Sequence, residues 1–342
     1  MAKVSVVRVD EFGDLVEAVA DVVERSGALD LSGDERVAIK PNLCDLMSSE
    51  SGATTDPRVA EALVVYLQSL GVKDVAFVES DHWVSDAWTE FDILGYTEVA
   101  KRRGVRLINL SEESWEVVEL PIEAFRYRTL RVPRTFMEYD VLISLPKLKT
   151  HVFEGISGSI KNLYGCIPQR IKSHYHPFLP QILANLCALL KPMLSLVDGI
   201  YAMEGAGPTR GSSKRLGLLI AGGDPVAVDS LIALMCGMKP SSVPHLRLAK
   251  EAGLGGFVKA TDVDGADLRE LIGLLKPPPR LLRYSTKLWL GTNKLVQRVG
   301  SWVVGVGEAL ATASDALSSG AVSKRKALAF GLGRLVRVLK RV

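Results

Sequence analysis

In the stretch LPKLKTHVFEGISGSIKNLYG, residues 145 to 165, Lys147, Lys149 and His151 stand at every second position, and Lys161 follows a Ser/Gly turn. Side chains two apart in an extended chain project to the same side. Two ammonium groups and an imidazole on one face suit a small anion, such as a phosphate or carboxylate, with the imidazole placed to move a proton. Neighbouring lysines disfavour the imidazolium, so a neutral His151 is expected near pH 7, available as a general base or a metal ligand. The turn SGSIKN, 157–162, reads as the start of a helix. Free N–H groups there would favour an anion, with Lys161 adding charge. The segment does not match the phosphate loop GxxxxGK[ST].

Other polar clusters follow apolar runs. VAIK leads into Lys40-Pro41-Asn42, VAFVE into Ser80-Asp81-His82, LSLVD towards Glu204, and LLIAGG into Asp224-Pro225 with Asp229 beyond. Ligands of open α/β sheets bind beyond the carboxyl ends of the strands, and a parallel sheet would bring these clusters to one rim. The candidate catalytic residues are therefore His151, Lys149 and Asp81. The candidate anion-binding residues are Lys40, Asn42, Lys147, Lys161 and Asn162. In KSHYHP, His174 and His176 share a face if extended, and with Glu204 they could hold a divalent metal. Blander roles compete with these. Asp56 and Asp224 each precede a proline and suit helix N-caps, and Lys40 would reach water from a strand end. Asp229, inside an apolar helix, either faces the site or bonds a neighbouring loop.

The elements that must position these residues alternate. RVAIK (36–40), KDVAFVES (73–80), VRLINL (105–110), YDVLISLP (139–146), MLSLVDG (193–199) and RLGLLIAGG (215–223) read as strands. Residues 57–71, 88–104, 177–190, 225–237 and 243–253 read as helices. WEVVEL and RTLRVP, 115–120 and 128–133, read as a small β-hairpin insertion. The expected fold is α/β: a mostly parallel open sheet with helices on both faces. KPPPR breaks the pattern, dividing a core of 1–276 from a basic helical tail of 277–342.

The 342 residues hold four scattered cysteines and no CxxC pair. That argues against a disulfide framework and gives no iron–sulfur cluster motif. The N-terminal stretch has no apolar core of a signal peptide, so a cytoplasmic location is expected. The formal net charge is +3, yet the tail alone carries twelve Lys or Arg against Glu308 and Asp315. Leu288, Leu295, Val299, Trp302 and Val306 form one helical stripe in 284–306. Leu328, Leu332, Leu335, Leu339 and Val342 form another in 324–342. Basic amphipathic helices suit the anionic inner face of a membrane. The alternative is packing on the body or on a second subunit in a homo-oligomer. With little aromatic interleaving for base stacking, nucleic acid is not the expected partner.

KPNL (40–43), TTDP (54–57), LPKLKTH (145–151), SGSIKNLYG (157–165), DGIYAMEGAGP (198–208) and GGDPVAVD (222–229) together resemble the domain of unknown function 362 family. The resemblance spans roughly residues 36–255. It supports these positions as a site and implies no particular reaction. Many members of the family carry an appended ferredoxin-like iron–sulfur module, and this chain departs from them in having no clustered cysteines. Two functions are expected in competition. One is an enzyme acting on an anionic small molecule, with or without a metal. The other is a non-catalytic carrier of an anionic cofactor or metal, redox-linked or not, held at a membrane by the tail.

Overall fold

The structure is a computed structural model that describes residues 3–10, 14–82, 85–124 and 127–279. The helices expected at 284–306 and 324–342 lie outside the described residues. The described elements are β1 (Val4–Arg8), α1 (Leu15–Ser26), β2 (Arg36–Pro41), α2 (Pro57–Ser69), β3 (Asp74–Glu79), α3 (Ala87–Ile93), α4 (Tyr96–Arg103) and β4 (Arg106–Asn109). The hairpin β5 (Trp115–Ala124) and β6 (Tyr127–Pro133) follows, then α5 (Thr135–Glu138), β7 (Val141–Leu145), β8 (Lys147–His151), β9 (Gly155–Ser157) and α6 (Ser159–Asn162). The chain continues through α7 (Leu179–Leu190), β10 (Leu194–Glu204), β11 (Ser212–Gly222), α8 (Pro225–Met235), α9 (Pro244–Glu251), β12 (Val263–Asp264) and α10 (Leu268–Leu271).

Ten of the described strands form one sheet in the order β12-β1-β11-β10-β7-β2-β3-β4, with β8 paired to β10 and β9 paired to β8. The pairs from β10 through β7, β2 and β3 to β4 are parallel, whereas β11 runs antiparallel to both β10 and β1. Alternate residues of each buried strand feed two cores. Val37, Ile39 and Phe77 join Val19 of α1, Leu63 of α2 and Tyr96 of α4 on one face. Ala38, Ala76 and Val78 join Leu183 of α7, Leu231 of α8 and Leu246 of α9 on the other. The chain is thus the expected α/β sheet with helices on both faces.

Three expectations change. The helix expected at 88–104 is two helices, broken at Gly95, which adopts φ +86°; glycine reaches that region without steric penalty. The strands expected at 193–199 and 215–223 extend into an antiparallel ladder, Ser195 opposite Gly222 and Glu204 opposite Ser212. Because β11 runs backwards, its end at Gly222 lies opposite Ser195, where β10 begins, and Asp224 does not follow a parallel strand onto the rim as expected. Finally, Lys147–His151 is extended, as its alternation suggests, but all five residues are buried where a face open to an anion was expected.

Candidate functional site

The rim is built where β2, β3 and β7 stop and the chain turns into β8, β9 and α6. Five lysines meet there, and their partners sort them. Lys40 does not reach water: its Nζ lies 2.6 Å from Glu79 Oε2 at the end of β3, with both side chains buried, and also donates to Pro41 O. Lys147 and Asp198 form an ion pair at 2.8 Å, each fully buried. Asp198 also accepts the N–H groups of Asp56 and Ile200, at 2.8 and 3.1 Å. Lys147 is therefore a brace joining β8, β10 and the start of α2, not an open cation.

Lys149 is different. Its Nζ donates to Asn42 Oδ1 at 2.9 Å, Ala53 O at 2.5 Å and Cys44 Sγ at 3.0 Å. The Cys44 thiol is held up by burial more strongly than Lys149 draws it down, so these acceptors are neutral. Among the described residues no carboxylate lies within ion-pair distance of Lys149, although the residue is 1% exposed. Asn42 and Asn162 form the frame around it. Asn42 Nδ2 donates to Asn162 Oδ1, and Asn162 Nδ2 donates to Lys40 O and Ser144 Oγ.

His151 sits at the end of β8, and its Nδ1 accepts the main-chain N–H groups of Phe153 and Glu154 at 3.2 and 3.3 Å. Burial, followed by the charges of Lys161 and Lys149, holds the ring well below the usual histidine range. The ring is then neutral, and with Nδ1 accepting, its proton belongs on Nε2. Lys161, on α6, is pushed down to about 8 by burial, against the favourable charge of Glu154. Its Nζ rests 4.8 Å from the centre of the Tyr164 ring. Among the described residues it makes no hydrogen bond or ion pair. His176 stacks on Phe153 and Tyr164 and is pushed down to about 4, by burial first and then by Lys161.

The remaining candidates are engaged elsewhere. Asp81 Oδ1 accepts from Ala87 N–H and Asn109 Nδ2, and Oδ2 lies 3.5 Å from Arg170; none of these contacts involves His151. Glu204 accepts the Lys276 N–H and faces Lys276 Nζ at 3.4 Å. His174 packs on Tyr127 and Tyr175 instead of beside His176. Glu204, His174 and His176 therefore do not form the metal set expected, and no group of three His, Cys, Asp or Glu among the described residues is placed to hold a metal ion. The start of α6 is also no anion site. The N–H groups of Ser159 and Ile160 are taken by Asp229, at 2.6 and 2.9 Å. Asp229 thus bonds the neighbouring loop from inside α8, while Asp56 and Asp224 cap α2 and α8.

Sequence reasoning missed several buried groups. Lys172, pushed down to about 8 by burial, donates to Ser80 Oγ. Glu90, fully buried on α3, is raised well above the usual carboxyl range by burial and then by Glu79, and it contacts His82 Nε2. Glu154 bonds His245 Nδ1 at 3.0 Å in the core. Glu90 and His245 stand inside ordinary helical patterns, and nothing in their local sequence marks them as polar core.

The fold is that of an α/β protein, with lysines and a histidine gathered where its parallel strands end. The model of the family described as Domain of unknown function (DUF362) matches residues 37–234, more than half of the chain, and the protein belongs to that family. Over 281 residues the chain is 27% identical to the thylakoid-associated protein sll1697 of Synechocystis sp., covering 77% of this chain and 82% of that protein. Among the described residues no helix is long and apolar enough to cross a membrane.

Proposed function

We propose that the protein binds a small anion at the Lys149–His151–Lys161 corner of the rim and acts on it as an enzyme. The observation that carries this reading is the buried ammonium of Lys149, surrounded only by neutral acceptors. A buried charge without a counter-ion is destabilising by several kcal/mol, roughly, and a chain that keeps one gains most when an anion arrives. Lys161 adds a second uncompensated cation. The neutral His151 supplies a donor from Nε2; serving as a base from that atom would need the other tautomer, which sets a proton on Nδ1 against two N–H groups. Lys40 and Lys147, already neutralised by Glu79 and Asp198, support the site from behind.

Calorimetric titration with phosphate and with a small carboxylate tests this reading. Saturable binding that is lost in Lys149→Gln and kept in an exposed-lysine control, Lys101→Gln, is expected. Absence of binding to the intact chain by either anion refutes it. Binding without turnover of any compound would make the protein a carrier.

A second reading concerns location. The basic tail, together with the name of the thylakoid-associated relative, supports peripheral association with the cytoplasmic face of an anionic membrane. Co-sedimentation with vesicles containing anionic lipid should deplete the full chain from solution and spare a chain ending at residue 279. Equal depletion of both would remove the tail as anchor.

A further inference from the structure

We propose that Lys161 forms a Schiff base with the carbonyl carbon of a small oxo acid held at this corner, an inference that rests on the anion reading above. Four of the five rim lysines are fastened by named acceptors: Lys40 by Glu79, Lys147 by Asp198, Lys149 by three neutral groups and Lys172 by Ser80. Lys161 alone of the five has no hydrogen-bond acceptor among the described residues. Its head lies over the Tyr164 ring, a contact that orients the chain and leaves the nitrogen lone pair uncommitted when the amine is neutral.

Three properties of the corner fit a nucleophilic amine. Attack requires the unprotonated form, and a lysine in a dry pocket beside other cations releases its proton more readily. With Lys161 pushed down to about 8, about one molecule in ten carries the free amine at pH 7. The positive charge of Lys149, whose three N–H groups are already placed, and the Nε2 proton of His151 suit the carboxylate of a 2-oxo acid. Its carbonyl carbon is bonded directly to that carboxylate and so would enter beside the amine. Glu154, bonded to His245 in the core, exerts the strongest favourable charge on Lys161 without forming an ion pair with it, and so leaves the amine open to a carbonyl.

The step balances without an oxidant or reductant. The lysine nitrogen attacks the carbonyl carbon, the C–O double bond opens to a carbinolamine, and the C–O bond then breaks. Overall the lysine ammonium and the carbonyl compound give a protonated imine and one water. Both hydrogens of that water come from the nitrogen. The iminium that results keeps the positive charge of the ammonium it replaces, so the corner remains complementary to the carboxylate.

The test incubates the full chain with pyruvate and sodium cyanoborohydride, and maps the reduced adduct by peptide mass spectrometry. Acetone serves as the carbonyl lacking a carboxylate, and phosphate binding is followed separately by calorimetry. The expected result is one adduct on Lys161 with pyruvate, little with acetone, and suppression by phosphate. Lys161→Arg should lose the adduct. Binding of phosphate with no reducible adduct overturns the Schiff base and leaves the anion reading standing. An adduct formed equally with acetone and insensitive to phosphate overturns the anion reading, and the proposal with it. Labelling spread over exposed lysines, or persisting unchanged in Lys161→Arg, overturns the assignment of the amine.

Discussion

Lys147 and Lys149 are two residues apart on one strand, but the first faces a carboxylate and the second only neutral acceptors. Replacing each by methionine separates the roles. In Lys147→Met the carboxylate of Asp198 stays fully buried, with only the N–H groups of Asp56 and Ile200 to satisfy it. Removing one partner of a buried ion pair costs about 3–5 kcal/mol, a large share of a domain's net stability of roughly 5–15 kcal/mol. Adding Asp198→Asn removes the stranded charge, and the double variant should recover part of that loss. Lys149→Met strands no carboxylate. It leaves Asn42 Oδ1 and Ala53 O short of a donor, a loss of about 1–3 kcal/mol for each group, offset by removal of the uncompensated ammonium. Urea unfolding followed by circular dichroism, with and without phosphate, reads both effects. Phosphate at a hundred times its dissociation constant should stabilise the wild type by about 2.7 kcal/mol. Lys147→Met should keep that gain at a lower baseline, and Lys149→Met should lose it. A Lys147→Met variant within about 1 kcal/mol of the wild type would refute the brace, since a broken buried pair cannot be that mild. Retention of the phosphate gain by Lys149→Met would refute the anion site.

Three further outcomes follow from the same geometry. His176 is held at about 4, while an unfolded histidine titrates near 6.5, so between these values the unfolded chain binds the extra proton and stability falls with acid. From pH 7 to pH 5 the loss is about 2 kcal/mol for this ring. His151 shifts in the same direction, and His176→Gln should flatten the stability profile measured by urea titration without abolishing it. Phosphate affinity should weaken as pH rises through about 8, where Lys161 loses its charge; calorimetry that finds equal affinity at pH 7 and pH 9 would remove Lys161 from the anion site. Gly165→Ala would place a methyl 2.6 Å from Lys40 Cε and 2.7 Å from Glu79 Oε1. Overpacking of this kind destabilises by about 1–3 kcal/mol, and a melting temperature equal to wild type would show that the pair yields without strain.

The sheet was legible because its strands are short apolar runs bounded by turn residues, and because Asp56-Pro57 and Asp224-Pro225 announce helices that the structure caps in just that way. The antiparallel β11 was not, since the strand RLGLLIAGG reads the same in either direction. The candidate site was legible in composition and illegible in accounting. The spacing of Lys147, Lys149 and His151 marks one strand, but which lysine is neutralised depends on Asp198, fifty-one residues away in sequence. Likewise the turn SGSIKN looks open to an anion until Asp229, seventy residues later, is found across its N–H groups. Sequence displays charged residues; it does not display their distant counter-charges, and the function of a rim depends on which charges are left over.

The placement of β1 has a consequence for how the protein comes into being. Residues 4–8 lie between β11 and β12, opposite 218–222 on one side and residues 263–264 on the other. A nascent chain therefore makes β1 long before either neighbour exists. The helix α6, which carries Lys161, likewise lacks Asp229 at its first N–H groups until α8 has been synthesised. Pairings so distant in sequence slow folding and leave strand edges open while they wait. On the ribosome, every lysine of the rim would emerge before Asp229, which holds the start of α6. The site is thus among the last parts of the molecule to mature, and a chain arrested before residue 224 would carry the charges without the architecture that keeps them apart from solvent.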